Sequence, residues 1–519
     1  MHKKPHIAAV IDIGSSELRL HIAQATFASG EKEQETVEYL ENLSYPLSLG
    51  RDTFHAGKLS FDKVDKACEI IKNFIHVARG YGVRNVTTVA STAIREAANA
   101  DYVTDQIKIK TGIEVRVIDD LEEKRHIYKL LTHYAEESLK KSAIIVYIGT
   151  GSMGVNLFVD GKILRTWNIR VGSLRMGELF GQLQEFTRDF YRLVEEYLAD
   201  FTYKLRHELP EGIKHFIVSG QEIDLIAKLA MAEVPCLSQP LFEIPRQDFE
   251  TLYDTIKRKT TDRISADFGL DADKADTLLP AACIYQGLLG CTDAKMITVS
   301  RMLPCDGLLF ELLFPKRVSV IDKRFDKGTT YSAMELARRH GANMAHVDIV
   351  LGFSLMIYDK IKKLHGLGRR DKLLLTVASI LHDIGECINT LDHHKISYEI
   401  VRHADIVGLT QSEQEIVALI CRYHTMAAPD LKEVCYQVIN TETKVRVSKL
   451  AAMLRLADSL DRSHTQKYSR IDVKLCDTAL TVTIHTDANV SLEQWSFAEK
   501  GRFFAEVFGI KAELRVKKL

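Results

Sequence analysis

The chain lacks most of the features that would mark it as fibrous, secreted or membrane-spanning. Only 10 of its 519 residues are proline and 29 are glycine, which excludes collagen-like and low-complexity extended architectures. Neither sign of charge is in surplus: 69 Lys and Arg face 70 Asp and Glu, a formal net charge of -1. No global field therefore draws it to nucleic acid or to an anionic membrane, and the basic clusters KRK and RR are too short to argue otherwise. The nine cysteines, Cys68, Cys236, Cys283, Cys291, Cys305, Cys387, Cys421, Cys435 and Cys476, are odd in number and form no CxxC pair. They read as reduced, mostly buried thiols of a cytosol, not a disulfide framework or a thiolate zinc site. The start is basic (His2, Lys3, Lys4), but the apolar run after it is broken by Asp12. No later run approaches the roughly 18 apolar residues of a membrane span, so a soluble, cytoplasmic protein is expected. No GxGxxG, Walker A or GxSxG pattern stands in a convincing context, which removes the Rossmann, P-loop and serine-hydrolase readings.

What is present is a chain of 46% hydrophobic and 27% charged residues, able to bury sizeable cores and long enough for about three or four domains. HIAAVIDIG and LRLHIAQATF read as a strand pair, FDKVDKACEIIKNFIHVARGYG as an amphipathic helix and VRNVTTVAST as a buried strand. From about Ser142 the pattern restarts with AIIVYIG, a GTGS turn, MGVNLFVDGKILRTWNI, a long helical stretch through Leu209 and the strand HFIVSG. Two α/β domains are predicted, over 1–125 and 126–315. After the charged stretch KRVSVIDKRFDKG, helical periodicity takes over at Ser332–Lys363, Arg370–Ile384, His394–Ala404, Gln411–His424 and Thr443–Ser463, predicting an all-α domain over 320–466. The tail, 467–519, alternates again (IDVKLCDTALTVTIHT) before a helix and a last strand, predicting a small α+β domain. IDIGSSELRLHIA and VYIGTGSMGVNLFV share a layout of strand, Gly/Ser reversal and strand, a weak internal duplication.

Those reversals carry chemistry. Gly14, Ser15 and Ser16 in one, and Gly149, Thr150, Gly151 and Ser152 in the other, offer backbone N–H groups and hydroxyls to phosphate oxygens without cationic side chains. Either alone is ordinary hairpin chemistry; two facing each other across a cleft suit a phosphate chain. Asp12, at the end of the first strand, is placed to hold a divalent cation through water.

AAVIDIGSSELRLHIA, STAIREA, VIDDLEEKRHIY, the IGTGS loop and FIVSG, in this order, resemble the exopolyphosphatase / guanosine pentaphosphate phosphohydrolase family. The resemblance implies an actin-like (ASKHA, ribonuclease H-like) fold for the two N-terminal domains, a helical domain and tail after them, a Mg²⁺ ion in the cleft and a homodimer. It also implies that Glu123 is the general base and that Arg95 binds phosphate. Glu122 is the immediate alternative to Glu123, and without the family an EEKR run is the start of a solvated helix. The match departs at two places. The family's second loop reads DIGGGSTE, and Tyr147 and Gly154 stand where its Asp and Glu would be; in the first loop Ser16 and Glu17 replace an Asn-Ser pair. Losing two carboxylates should impair metal-assisted phosphoryl transfer unless other ligands substitute.

Nine of the 19 histidines fall between His340 and His464. His382-Asp383 ends an apolar helix, His346 lies one helix earlier and Asp458 on a later one, a set that resembles the metal-dependent HD superfamily. Such ligands suit Mn²⁺, Fe²⁺, Zn²⁺ or Mg²⁺. Asp461 competes with Asp458, and His393, His394, His403 and His424 are candidates for a second ion or for gripping phosphates. The leading expectation is a hydrolase releasing terminal phosphate from polyphosphate or guanosine pentaphosphate in the actin-like cleft. The alternatives are an HD-type phosphohydrolase whose actin-like half only senses ligand, and a non-catalytic sensor.

Overall fold

The computed structural model describes residues 6–28, 34–186, 189–231, 239–425, 428–430, 432–468, 470–476 and 478–518. Cys236 and the basic residues His2, Lys3 and Lys4 lie outside them. The other eight cysteines are free thiols. No described helix is long and apolar enough to cross a membrane.

The chain divides into two compact units, 1–325 and 326–519. The first holds two sheets. Strands β1 (Ile7–Ile13), β2 (Glu17–Ala28), β3 (Gln34–Pro46), β4 (Thr87–Ala90) and β5 (Arg116–Val117) lie in the order β3-β2-β1-β4-β5. Strands β6 (Ala143–Ile148), β7 (Met153–Val159), β8 (Lys162–Ile169), β9 (His215–Gly220), β10 (Leu241–Pro245) and β11 (Met296–Ser300) lie in the order β10-β11-β9-β6-β7-β8. Each sheet is an antiparallel meander of three strands whose first member takes a parallel neighbour on its other side, β4 beside β1 and β9 beside β6. The faint duplication in the sequence is thus a repeat of topology. β1 and β6 are almost continuously apolar because both their faces are covered. The two Gly/Ser reversals fall at equivalent places, closed by Gly14 N–H to Glu17 O at 3.1 Å and by Gly149 N–H to Ser152 O at 2.8 Å.

Two features differ from the sequence reading. Helix begins before Ser332: KRVSVIDKRFDKG, read as a charged stretch ahead of the helices, lies within the helix Pro315–Arg339. Val318, Ile321 and Phe325 supply a buried stripe at helical spacing while the charged side chains take the other side. The stretch predicted as one helix over 332–363 is broken after Arg339, where Gly341 adopts a left-handed φ of +68°. Asn343 then caps a new helix, Met344–Lys360, by accepting from the His346 N–H at 3.3 Å. His346 thereby sits in a first turn, not in the middle of a long helix.

In the second unit, strands β12 (Arg470–Leu475), β13 (Ala479–His485) and β14 (Lys511–Lys517) form a small sheet in sequence order. Leu480, Val482 and Phe504 of the tail share one apolar core with Leu374, Ile420 and Leu454 of the helices.

In the first unit two helices meet closely. The helix Pro304–Leu313 lies against the helix Asp120–Tyr134, pinned by Glu311 to His126 Nδ1 at 2.6 Å and to Lys129 Nζ at 3.1 Å. A Cβ on Gly307 would stand 2.3 Å from the His126 carbonyl oxygen, so only glycine fits. Gly307→Ala is expected to cost about 1–3 kcal/mol, as overpacking does. It is read as a drop in Tm, and an unchanged Tm would refute the close approach.

Candidate functional site

Asp119 opens the helix Asp120–Tyr134 by accepting from the Glu122 N–H at 2.8 Å. Its first turn places Glu123, 13% exposed, in the wall of a cavity between the two reversals, while Glu122 pairs with Arg116 and lies 3.6 Å from His126. The choice between the two glutamates is therefore geometric. The run is not a solvated helix start: Lys124 is 1% exposed and its ammonium donates to Asp120 Oδ2 at 2.6 Å.

The cavity is lined by Asp12, Gly14, Ser15, Arg19, Glu123, Tyr147, Gly149 and Thr150, with Leu303–Leu308 residues closing one side. Its volume of about 30 Å³ has room for about two water molecules. The two reversals touch where Thr150 Oγ1 meets Ser15 Oγ at 3.0 Å. Of the other residues expected to grip phosphate, Ser16, Gly151, Ser152 and Arg95 do not line the cavity. Ser152 donates to Asp120. Arg95 is anchored on the Ile118 carbonyl at 2.8 Å and Thr92 Oγ1 at 3.0 Å, which holds its guanidinium 4.0 Å from Glu123 and 3.9 Å from Asp120.

Burial, with the Asp120 charge nearby, pushes the Glu123 carboxyl up to about 7, while Arg95 and the Tyr147 hydroxyl, donating at 2.9 Å, act the other way. Burial also raises Asp12, only partly offset by Arg19 at 3.4 Å. Asp120 is held below the usual carboxylate range: burial acts upward, but Lys124, Ser152 and Arg95 outweigh it. Sequence reasoning missed Arg19 and the partnership of Tyr147 with Glu123. A charged residue alternating with leucines in LRLHIA was the available signal for Arg19; nothing in the sequence announced the second.

A divalent ion fits this cleft poorly. Asp12 faces Arg19, Asp120 is engaged by Lys124 and Ser152, and Glu123 accepts from Tyr147. None of the three belongs to a described group of donors converging within 4.8 Å.

The second unit is different. His346, His382, Asp383 and Asp458 present ligand atoms within 4.8 Å of one another, and Asp383, His393 and His424 form another such group. Asp383 Oδ2 lies 3.6 Å from His346 Nε2 and 3.3 Å from His382 Nε2. Its Oδ1 lies 3.4 Å from His393 Nε2 and 3.1 Å from His424 Nε2, so one carboxylate serves both groups. All four rings turn Nε2 inward because Nδ1 is engaged elsewhere. Its partners are Asp461 for His346 at 2.9 Å, and the carbonyls of Ser379, Thr390 and Cys421 for His382, His393 and His424 at 2.9, 2.7 and 2.5 Å. Orientation of imidazoles through their outer nitrogens characterises metal sites.

Asp461 is thus a positioning residue. Asp458 is the inward carboxylate: its Oδ1 lies 3.4 Å from His346 Nε2, and its Oδ2 accepts from Lys500. His403 is exposed and His394 belongs to neither group. Burial pushes His424 down to about 4, the neutral form that can ligate. At His346 burial acts downward, but Asp458 and Asp461 carry it up to about 10, so the pocket favours positive charge there, whether a proton or a metal ion.

Residues 30–314, more than half of the chain, match the Ppx/GppA phosphatase family, and residues 330–499 match Ppx/GppA phosphatase, domain III. A guanosine-5'-triphosphate,3'-diphosphate pyrophosphatase of Pseudoalteromonas translucida is 23% identical over 427 residues, 81% of this chain and 80% of that protein. Its counterpart in Photobacterium profundum is 21% identical over 88% of each chain. Among solved structures, an exopolyphosphatase from Cytophaga hutchinsonii is 19% identical, with 60% of this chain and 98% of that one covered at a TM-score of 0.49. The family's enzymes generally depend on a divalent metal. The two family matches, the first over more than half of the chain, show that the chain belongs to the Ppx/GppA phosphatase family, exopolyphosphatase-like hydrolases that act on phosphoric anhydrides.

Proposed function

We propose that the chain releases terminal phosphate from inorganic polyphosphate or guanosine pentaphosphate in the cleft of the first unit, with Glu123 as general base. The observation that carries this reading is the placement of Glu123: a buried carboxylate titrating near neutrality, in the wall of the cavity between two phosphate-type reversals. Glu123 orients a water and takes its proton as oxygen attacks the terminal phosphorus. The Gly14–Ser15 and Gly149–Thr150 reversals donate N–H and hydroxyl groups to the phosphate oxygens, where charge develops. Arg95 holds the ionised form of Glu123 in reach. The cavity must open to admit a phosphate chain.

Tyr147 tunes the pH at which this base works, against the larger upward effect of burial. Its hydroxyl donates to the carboxylate, favouring the ionised form. Tyr147→Phe is expected to move the acid limb of the pH–rate profile upward by about half to one unit, the equivalent of one hydrogen bond. An unmoved limb would remove Tyr147 from the mechanism.

A second reading is favoured by the Nε2 and carboxylate convergence in the second unit: an HD-type metal-dependent phosphohydrolase. His346, His382, Asp383 and Asp458 would hold one ion and Asp383, His393 and His424 another. Bound there, Mn²⁺, Fe²⁺, Zn²⁺ or Mg²⁺ supplies Lewis acidity and lowers the pKa of water. The experiment separating the readings is orthophosphate release from long-chain polyphosphate and from guanosine pentaphosphate, with Mg²⁺ or Mn²⁺. Loss of release in Glu123→Gln alone supports the cleft, and loss in Asp383→Asn alone supports the second unit. No release by the wild type from either substrate overturns the proposal.

A further inference from the structure

The poor fit of the first cleft to a divalent ion has a structural cause in one lysine. Gly154 occupies the place of the family motif's glutamate, and a Cβ there would lie 2.2 Å from the Tyr128 hydroxyl, 2.8 Å from Lys124 Cδ and 3.2 Å from Lys124 Cε. The Tyr128 hydroxyl and the lysine stem together fill the space a side chain at 154 would need. Its ammonium is committed to Asp120, whose other oxygen accepts from Ser152 of the second reversal. Asp12, Arg19 and Glu123 line the cavity, and Glu17, Asp120, Arg95 and Lys124 pair with them or with one another behind its wall, so four acidic groups face three basic ones, near balance without an added cation. An unpaired Asp120 facing a polyanion would repel it; Lys124 removes that repulsion from within.

We propose that Lys124 is a built-in counter-ion that neutralises Asp120, so that the cleft of the first unit binds a phosphate chain without a divalent metal. This rests on the reading of that cleft as the phosphate-chain site. Lys124 does not line the cavity: it acts through Asp120 and Ser152 and is a positioning residue. Any metal dependence of the enzyme then arises at other donors, such as the oriented imidazoles of the second unit.

The test is equilibrium binding of a long-chain polyphosphate of defined length to the full chain, in excess EDTA and in Mg²⁺. Wild type is expected to bind in both, with affinities within about threefold, because no ion completes the site. Lys124→Met is expected to bind about tenfold or more weakly in both, since one partner of a buried charge pair is left alone. Asp120→Asn/Lys124→Met removes both charges, is the variant least prone to unfold, and is expected to recover affinity to within about threefold of wild type. A merely structural lysine would show no such rescue. Wild-type binding that requires Mg²⁺, equal affinity of Lys124→Met and wild type, or no recovery in the double variant overturns the proposal while leaving the cleft as the site. Absence of polyphosphate binding in both media overturns the reading of the cleft and the proposal together.

Discussion

Glu123→Gln is expected to lower phosphate release about 10²- to 10⁴-fold, the range over which a positioned general base contributes. Glutamine matches the shape of the side chain and can still accept from Tyr147, so the loss isolates proton transfer. The pH dependence gives a second reading of the same residue. The wild-type rate should rise with pH through about 7, where the buried carboxyl ionises, and the residual rate of the variant should lack that limb. Stability should move the opposite way. A carboxyl whose folded-state pKa lies above its unfolded value contributes stability that is fully present below the unfolded pKa and lost as pH rises through about 7. The variant carries no ionisation to oppose folding and is expected to be more stable than wild type above pH 7, by about 1–3 kcal/mol. A variant that is both inactive and less stable at pH 8 would point to lost packing and would count against Glu123 as the base.

The second large effect is expected at Asp383. Its two oxygens face different pairs of imidazoles, so one substitution removes a ligand from both groups. On the second reading, Asp383→Ala is expected to weaken Mn²⁺ binding by about 100-fold or more, and the metal retained after dialysis should fall well below that of the wild type. Asp461→Asn changes only the carboxylate behind His346 Nδ1 and should cost about 10- to 100-fold, as loss of an orienting partner does. Calorimetric titration with Mn²⁺ and elemental analysis of the dialysed protein measure both. If Asp383→Ala retains wild-type metal content, the imidazoles are a hydrogen-bonded core and the second reading falls.

Alternation and helical periodicity reflect which faces are buried, so the amino-acid pattern alone locates β1, β2, β6, β7, β9 and most helices of the second unit, with ends displaced by a few residues. The KRVSVIDKRFDKG stretch hides its helix because charge density masks the periodicity, although Val318, Ile321 and Phe325 keep helical spacing within it. The break at Gly341 is visible as a glycine, but whether a glycine ends a helix depends on the φ that packing requires of it.

Local pattern along the chain carries the α/β alternation of the first unit, the two reversals and the helical character of the second unit, because each is encoded in residues a few positions apart, whereas the candidates Glu123, His346, His382, Asp383 and Asp458 come from resemblance to known families. Packing alone sets Glu123 rather than Glu122 in the cavity wall, brings the Tyr147 hydroxyl to Glu123 across 24 residues of chain and puts Tyr128 and Lys124 beside Gly154. It likewise decided that Asp383 serves two histidine pairs and that Asp461 stands behind His346, 115 residues distant. Burial, hydrogen-bond partners and pKa are properties of neighbours in space, and chain separations of this size leave no local pattern from which to read them.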